Sequence, residues 1–536
     1  MMLRAAQGRR LSRATAGARG IVAALACAIL SGCLFPAMGP NYKRPVVPLP
    51  TNYRIESTEA VDVVNTEWWK GFGDENLNAL IATALASNSD ILIAAAHIQA
   101  FDGRLETTNS HYFPQLGYDV GLERDQRSQE VPELLRIGQP ITFNQWKYMA
   151  TISYEVDLWG RVRRSYEAGR AELLSSAQAR HTVMLTVVTS VASTYIQLLE
   201  LDRQLEIAKE TLASFQTSVD LLDKKFHGGS ATDIEVAKAR ADLDDQAAVI
   251  PQIEKDIAFL EDQLSTLVGH NPGPIPRGRL DKLTLETVPG AIPSDVLYRR
   301  PDVLGAEQDL VAANAKIGIA KTGYFPTFAL TSSYGQSSDQ TQWLLAKTAR
   351  TGFLAIDLIG PIFTFGKVEG EVREARAETK AETEKYQQTI QTALREVDQA
   401  LVYNQKARER LALLNQHVED LRNVDRLTRL RYQGGKFTDL DVQDADRKLL
   451  NSENEQISGV MDEYSALVAV FKAMGGGWMT ELDKQKAQQD KDNKKAQHDK
   501  KDEQDKKTAS NASAAKLSAS DDARNPTATT KDVTSP

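Results

Sequence analysis

At 536 residues, 42% hydrophobic and 25% charged, the chain has the composition of a folded protein, not of a disordered or fibrous one. Its formal net charge of −8 carries no basic block, and its arginines are spread among acids, which excludes an ordinary nucleic-acid-binding domain. Two cysteines, Cys27 and Cys33, both near the start, exclude a disulfide framework.

The first 32 residues read as an export signal. Arg9, Arg10, Arg13 and Arg19 precede an apolar run, Ile21 to Leu30, that is too short to span a bilayer as a helix. Leu30-Ser31-Gly32-Cys33 follows, and small residues before a cysteine resemble the bacterial lipobox, in which cleavage leaves a lipid-modified cysteine first. An ordinary signal peptide with a chance cysteine is the other reading. No later segment has ~18 consecutive apolar residues, so any membrane crossing must use strands in a closed barrel.

A unit of roughly two hundred residues occurs twice. Gly228-Gly229 and Gly434-Gly435 are 206 residues apart, as are Gly160-Arg161-Val162 and Gly366-Lys367-Val368, and Val268-Gly269 and Met474-Gly475. Tyr112-Phe113-Pro114 matches Tyr324-Phe325-Pro326 at an offset of 212. The units are 76–270 and 295–478. They follow an extended segment, 33–75, and are joined by a Pro/Gly-rich link, 271–294. Each unit opens with a helix, 76–109 in the first and 295–322 in the second.

A β-hairpin comes next in each copy, 113–157 and 325–363. Leu116, Tyr118, Val120 and Leu122 alternate with Gly117, Asp119, Gly121 and Glu123, and Trp146 to Val156 alternates again. In the second copy Phe328 and Leu330 predict a short strand before a Ser-Gly-Gln-rich loop, with a second strand around Phe353 to Asp357. Four strands of about ten residues fit a tilted crossing of hydrocarbon, but a membrane barrel needs about eight or more, so several chains must contribute.

Long helical hairpins complete each copy, 160–270 with its tip at 227–231 and 366–475 with its tip at 433–437. From Met184 to Phe226 an apolar a/d stripe continues for six heptads, and a second runs from Ile390 to Leu421. At ~1.5 Å per residue the descending helix reaches about 100 Å, and its stripe must be covered by other helices. Pro251 predicts a kink or an interruption in the first return helix. From 479 to 536 the chain is Lys, Asp, Gln, Ala, Ser and Thr with little that is apolar, which predicts a disordered tail.

The lipobox at Cys33, "GPNYKRP" at 39–45, "WWKGFGDENLNALIATAL" from Trp68, "YRRPDV" from Tyr298 and the doubled "YFP" together resemble the outer-membrane efflux factors. Within that TolC superfamily they resemble the OprM/NodT-type lipoproteins. The resemblance implies an α+β membrane protein: a homotrimeric outer-membrane β-barrel, four strands per chain and twelve in total, continuing into a long periplasmic α-helical barrel built from the two repeats. It implies a passive duct for drugs or other small molecules. The partners would be a periplasmic adaptor and an inner-membrane pump of the RND type, with no cofactor beyond lipid on Cys33. A non-conducting periplasmic coiled-coil lipoprotein is the alternative.

Site residues follow in the same way. Asp441 and Asp444 share a helix face at i and i+3, and match an Asp-Val-x-Asp-Ala pattern that implies rings of carboxylates at a periplasmic gate. Such rings would repel anions and raise each other's pKa. Copy one has Glu235 and Lys238 there; acids at a helix start are otherwise explained by the macrodipole. Thr232, Asp233 and Tyr432 sit where the resemblance implies closed-state links between tips, with Asp233 bonded to Tyr432. Phe437 stands where that pattern has an arginine, so the charged half of the latch is absent unless Lys436 or Arg431 substitutes. The glycine pairs Gly228, Gly229, Gly434 and Gly435 are the implied adaptor contacts. No P-loop, GxSxG or His-Glu-x-x-His motif occurs and the seven histidines have no metal spacing, so no catalytic site is expected.

Overall fold

The computed structural model describes residues 36–50, 52–55, 67–126, 142–284 and 299–476. Cys33, the export signal and the 479–536 tail lie outside these residues. Each repeat has three helices and two strands. The first contains α2 (Ser89–Ser110), β1 (Gln115–Gln126), β2 (Thr142–Val156), α3 (Arg161–His227) and α4 (Asp233–Leu267). The second contains α5 (Pro301–Thr322), β3 (Thr327–Ser338), β4 (Arg350–Ile359), α6 (Lys367–Gln433) and α7 (Asp439–Ala473). A short helix, α1 (Glu75–Ser87), precedes them. The long helices α3 and α6 are 67 residues each, the return helices α4 and α7 are 35 each, and α2 and α5 are 22 each. The single helix expected over 76–109 is thus two, broken at Asn88, and apart from α1 every described helix of one repeat has a counterpart of the same length in the other.

The strands form one antiparallel sheet in the order β1-β2-β3-β4. Register sorts its two faces. Rows such as Leu116, Ile152, Ser332, Leu354 and Tyr118, Ala150, Tyr334, Gly352 lie on one face, and Gly117, Thr151, Ser333, Phe353 on the other. The first face carries most of the exposed large apolar side chains, including Leu116, Tyr118, Val120, Tyr148, Ile356 and Leu358. The second is mostly small and polar, Phe353 and Ile359 excepted, with Lys147 paired to Asp119 at 2.8 Å. One face suits hydrocarbon and the other suits water. The Ser-Gly-Gln stretch expected to be a loop is strand to Ser338, because β2 supplies a complete ladder partner as far as Trp146. Cross-strand hydrogen bonding outweighs the low strand propensity of Ser, Gly and Gln.

Below the sheet the a/d stripes are largely covered. Met184, Val187, Val191, Thr194 and Leu198 are buried on α3, and Ile390, Ala393, Val397 and Ala400 on α6. Val303, Leu310, Tyr386, Ile390 and Val470 close one core cluster, against which Tyr42, Val47 and Leu49 of the N-terminal segment pack. Trp68 stacks on Phe471 with ring centroids 5.0 Å apart. Pro251 does not interrupt α4, which is continuous through it. Its side chain is exposed, so the ring meets no neighbouring helix, and its cost is confined to the lost backbone bond and the crowding of its own preceding turn.

Each return helix is extended by a second helix stacked on its end. Asn88, the N-cap of α2, donates from Nδ2 to the carbonyl of Leu267 at 2.8 Å, and Arg300 donates to the carbonyl of Ala473 at 3.0 Å. Arg300 is buried and also pairs with Asp302 and Glu396, both at 2.7 Å. These two donors occupy the same place in the two repeats and fill orphan carbonyls at a helix C-terminus. At the first joint Gly269 has φ +80, and a Cβ there would lie 2.4 Å from the Ser87 carbonyl oxygen.

Candidate functional site: the two hairpin tips

The tips are one backbone solution used twice. Each long helix ends on a glycine followed by a second glycine with positive φ, 75° at Gly229 and 69° at Gly435, which any side chain would strain. Gly228, Gly229, Gly434 and Gly435 are all exposed. Each return helix then begins with a threonine capping box. Thr232 accepts from the Glu235 N–H at 3.3 Å, and the Glu235 carboxylate accepts from the Thr232 N–H at 2.7 Å. Thr438 and Asp441 do the same at 3.4 and 2.8 Å.

This geometry divides the acid pair. Asp441 occupies the helix-start position that Glu235 fills in copy one, so an acid there serves the repeat as a whole. Asp444, opposite Lys238 of copy one, has no such duty. It pairs instead with Lys448 at 2.9 Å. Both carboxyls are held below the usual carboxylate range, Asp441 by the Thr438 hydroxyl and N–H and Asp444 by the Lys448 ammonium. Within one chain the shift is therefore opposite to the mutual raising expected of stacked rings.

The expected Asp233–Tyr432 bond is not what the chain forms. Asp233 turns back to accept from the Ile234 N–H at 2.9 Å, at the start of its own helix. Lys225, on the last turn of α3, donates to the Tyr432 hydroxyl instead, its ammonium 4.8 Å from the ring centroid. A second link joins the return helices, Arg447 to Asp242 at 3.8 Å. Arg431 lies over the Phe437 ring at 5.4 Å.

Two features were missed in the sequence although the 206-residue offset marks both. Ile234 and Leu440 are equivalent, adjoin the turns and are exposed, 75% and 49%. An apolar residue kept at the same off-stripe position in both copies was the available signal. The second feature is an inverted ion pair. Arg240 meets Asp223 at 3.0 Å across hairpin one, and Asp446 meets Arg429 across hairpin two, with the signs exchanged. Asp425 joins the second pair, accepting from Arg429 at 2.9 Å, where copy one has buried Val219. Burial, and then the hydrogen bond with Asp425, push the Asp446 carboxyl up to about 6.

A four-stranded sheet with an apolar outer face, set on paired 67-residue helices that end in exposed turns, defines a protomer of an outer-membrane export channel. The sequence profile described as "Outer membrane efflux protein" matches residues 80–270 and 292–476, and the chain belongs to that family. It is 30% identical over 460 residues to the toluene efflux pump outer membrane protein TtgC of Pseudomonas putida, covering 84% of this chain and 94% of that one. Identity to the cation efflux system protein CusC of Escherichia coli is 28%, over 84% of this chain and 96% of that protein. The solved outer-membrane channel OprN superposes with a TM-score of 0.76 at 25% identity, covering 82% of this chain and 99% of OprN. The fold class is that of the trimeric outer-membrane channels, and the chain is the outer-membrane channel component of a tripartite efflux system, reaching into the periplasm.

Proposed function

We propose that this chain forms a lipid-anchored homotrimeric duct that passively conducts drugs or other small molecules handed over by an RND-type pump through a periplasmic adaptor. The single observation that carries this reading is the sorting of the sheet into an apolar outer and a small polar inner face, directly above the long helices. Toluene, cations and pyoverdine are exported by the relatives' systems, as their names state. For this chain the pump selects and the duct transmits, without chemistry and without a cofactor. Lipid on Cys33 anchors it; Cys33→Ser abolishes incorporation of labelled palmitate.

Asp441 and Asp444 supply the gate, with Asp444 its distinctive member because Asp441 is also a helix-start residue. The exposed glycine turns, with Ile234 and Leu440 beside them, offer the adaptor its contact. In the closed duct Lys225 and Tyr432 link the tips, beside Thr232 as the helix cap and Asp233 as the first residue of the return helix. Asp441→Ala with Asp444→Ala raises anion conductance several-fold in planar bilayers and blunts block by divalent cations, as expected for removal of carboxylate rings. Unchanged currents would remove the gate; no current from the wild-type chain would remove the duct.

A further inference from the structure

The internal repeat describes one contact that the single chain makes and a second that it leaves open. Trp159 follows β2, and its ring stacks on Phe325, just before β3, with centroids 4.6 Å apart and planes at 25°. Its Nε1 donates to the Pro326 carbonyl at 2.8 Å. This is a copy-one loop resting on the Tyr-Phe-Pro turn of copy two. Phe365 occupies the place of Trp159 in copy two, 206 residues on, and Phe113 the place of Phe325 in copy one, 212 residues back.

Both of these rings are exposed, Phe365 96% and Phe113 62%, and the neighbour of Phe365, Phe363 at 6.0 Å between centroids, is itself 81% exposed. Phe365 is also the one non-glycine residue with positive φ among the described residues, at 48°, a conformation unfavourable for an aromatic side chain. The strands repeat the contrast. β2 is laddered as far as Val156, opposite Phe328, whereas β4 stops at Ile359. The same offsets carry Val156 to Ile362 and Phe328 to Leu116. Ile362 and Leu116 are 95% and 77% exposed.

We infer that Phe365 of one chain stacks on Phe113 of the next copy of the same chain, while β4 extends to place Ile362 opposite that copy's Leu116. Exposed strand edges seek a partner, and the repeat supplies one of known register. The aromatic contact then closes a ring of alternating intrachain and interchain steps, Trp159 on Phe325 and Phe365 on Phe113. It lacks only the indole hydrogen bond. The inference rests on the homotrimeric duct proposed above and adds its register and its seam.

Phe113→Cys with Phe365→Cys, oxidised in native membranes, gives covalent dimers and trimers on non-reducing gels, and neither single variant does. Ile362→Cys with Leu116→Cys does the same. Phe365→Ala and Phe113→Ala each speed dissociation of the detergent-solubilised trimer about tenfold, and together no more than either alone. A native mass of one chain would overturn the duct itself. A trimeric mass with neither cysteine pair cross-linking would overturn only this seam. Quenching of Phe365→Trp fluorescence by brominated lipid would place the ring in the bilayer and also overturn it.

Discussion

At the first tip the capping acid is Glu235, Lys238 follows it, and Arg240 reaches across to Asp223; at the second the corresponding residues are Asp441, Asp444, Asp446 and Arg429. The turns and caps hardly differ. What the two tips hold in common, the paired glycines, the threonine cap and an acid three residues later, is the requirement of a sharp helical reversal. What differs is charge. The second tip has exchanged a lysine for an acid and has added Asp425 beside its ion pair. The comparison thus separates two residues, Asp441 and Asp444, that look alike on one helix face.

Removing Arg429 tests the difference most severely. Arg429→Ala leaves Asp425 and Asp446 facing each other without a cation, and should destabilise the second hairpin by about 2 kcal/mol, less than for a fully buried pair. Hydrogen exchange in the first turns of α7 reads the loss; protection unchanged from wild type would mean the acids do not share that cation. The pH dependence sharpens the same point. Because the Asp446 carboxyl titrates near 6, above its value in an unfolded chain, the folded tip binds a proton more tightly. Its stability should rise as pH falls through 6 until the depressed carboxyls of Asp441 and Asp444 begin to oppose it, and Asp425→Asn should flatten that rise.

A smaller effect tests what the tips share. Thr232→Ala and Thr438→Ala should each cost about 1 kcal/mol of local stability, equally at both ends. A marked inequality, measured by exchange at the N–H groups of Glu235 and Asp441, would end the claim that the caps are equivalent. Smallest is Asp223→Ala. It breaks an ion pair with an exposed arginine and should shift the stability of the first hairpin by less than about 0.5 kcal/mol.

Much of this architecture was legible in residue order. The 206-residue offset located both long hairpins because their lengths are set by the same two punctuating motifs, Gly-[Arg/Lys]-Val and Gly-Gly. Alternation revealed the outer faces of β1 and β2, where one row is aromatic and aliphatic. It failed along β3, since Ser332 to Ser338 owe their conformation to a partner strand and not to their own preference. Pro251 does not interrupt its helix, because one lost backbone bond is outweighed along a 35-residue helix packed on α3. Tyr432 found Lys225 because Asp233 is engaged by the first turn of its own helix, a competition that spacing does not display. The joints at Asn88 and Arg300 join residues more than 170 positions apart, and no local pattern announces them.

Those joints have a mechanical consequence. In each repeat one arm is an unbroken rod of 67 residues and the other is two shorter rods, spliced where a single side chain grips a free carbonyl. A twist applied at the bottom of such a pair is resisted along the whole of the continuous arm but can be relieved in the other at one level only. The level at which each hairpin can yield is thereby marked by an asparagine and an arginine, a whole return helix away from the tips.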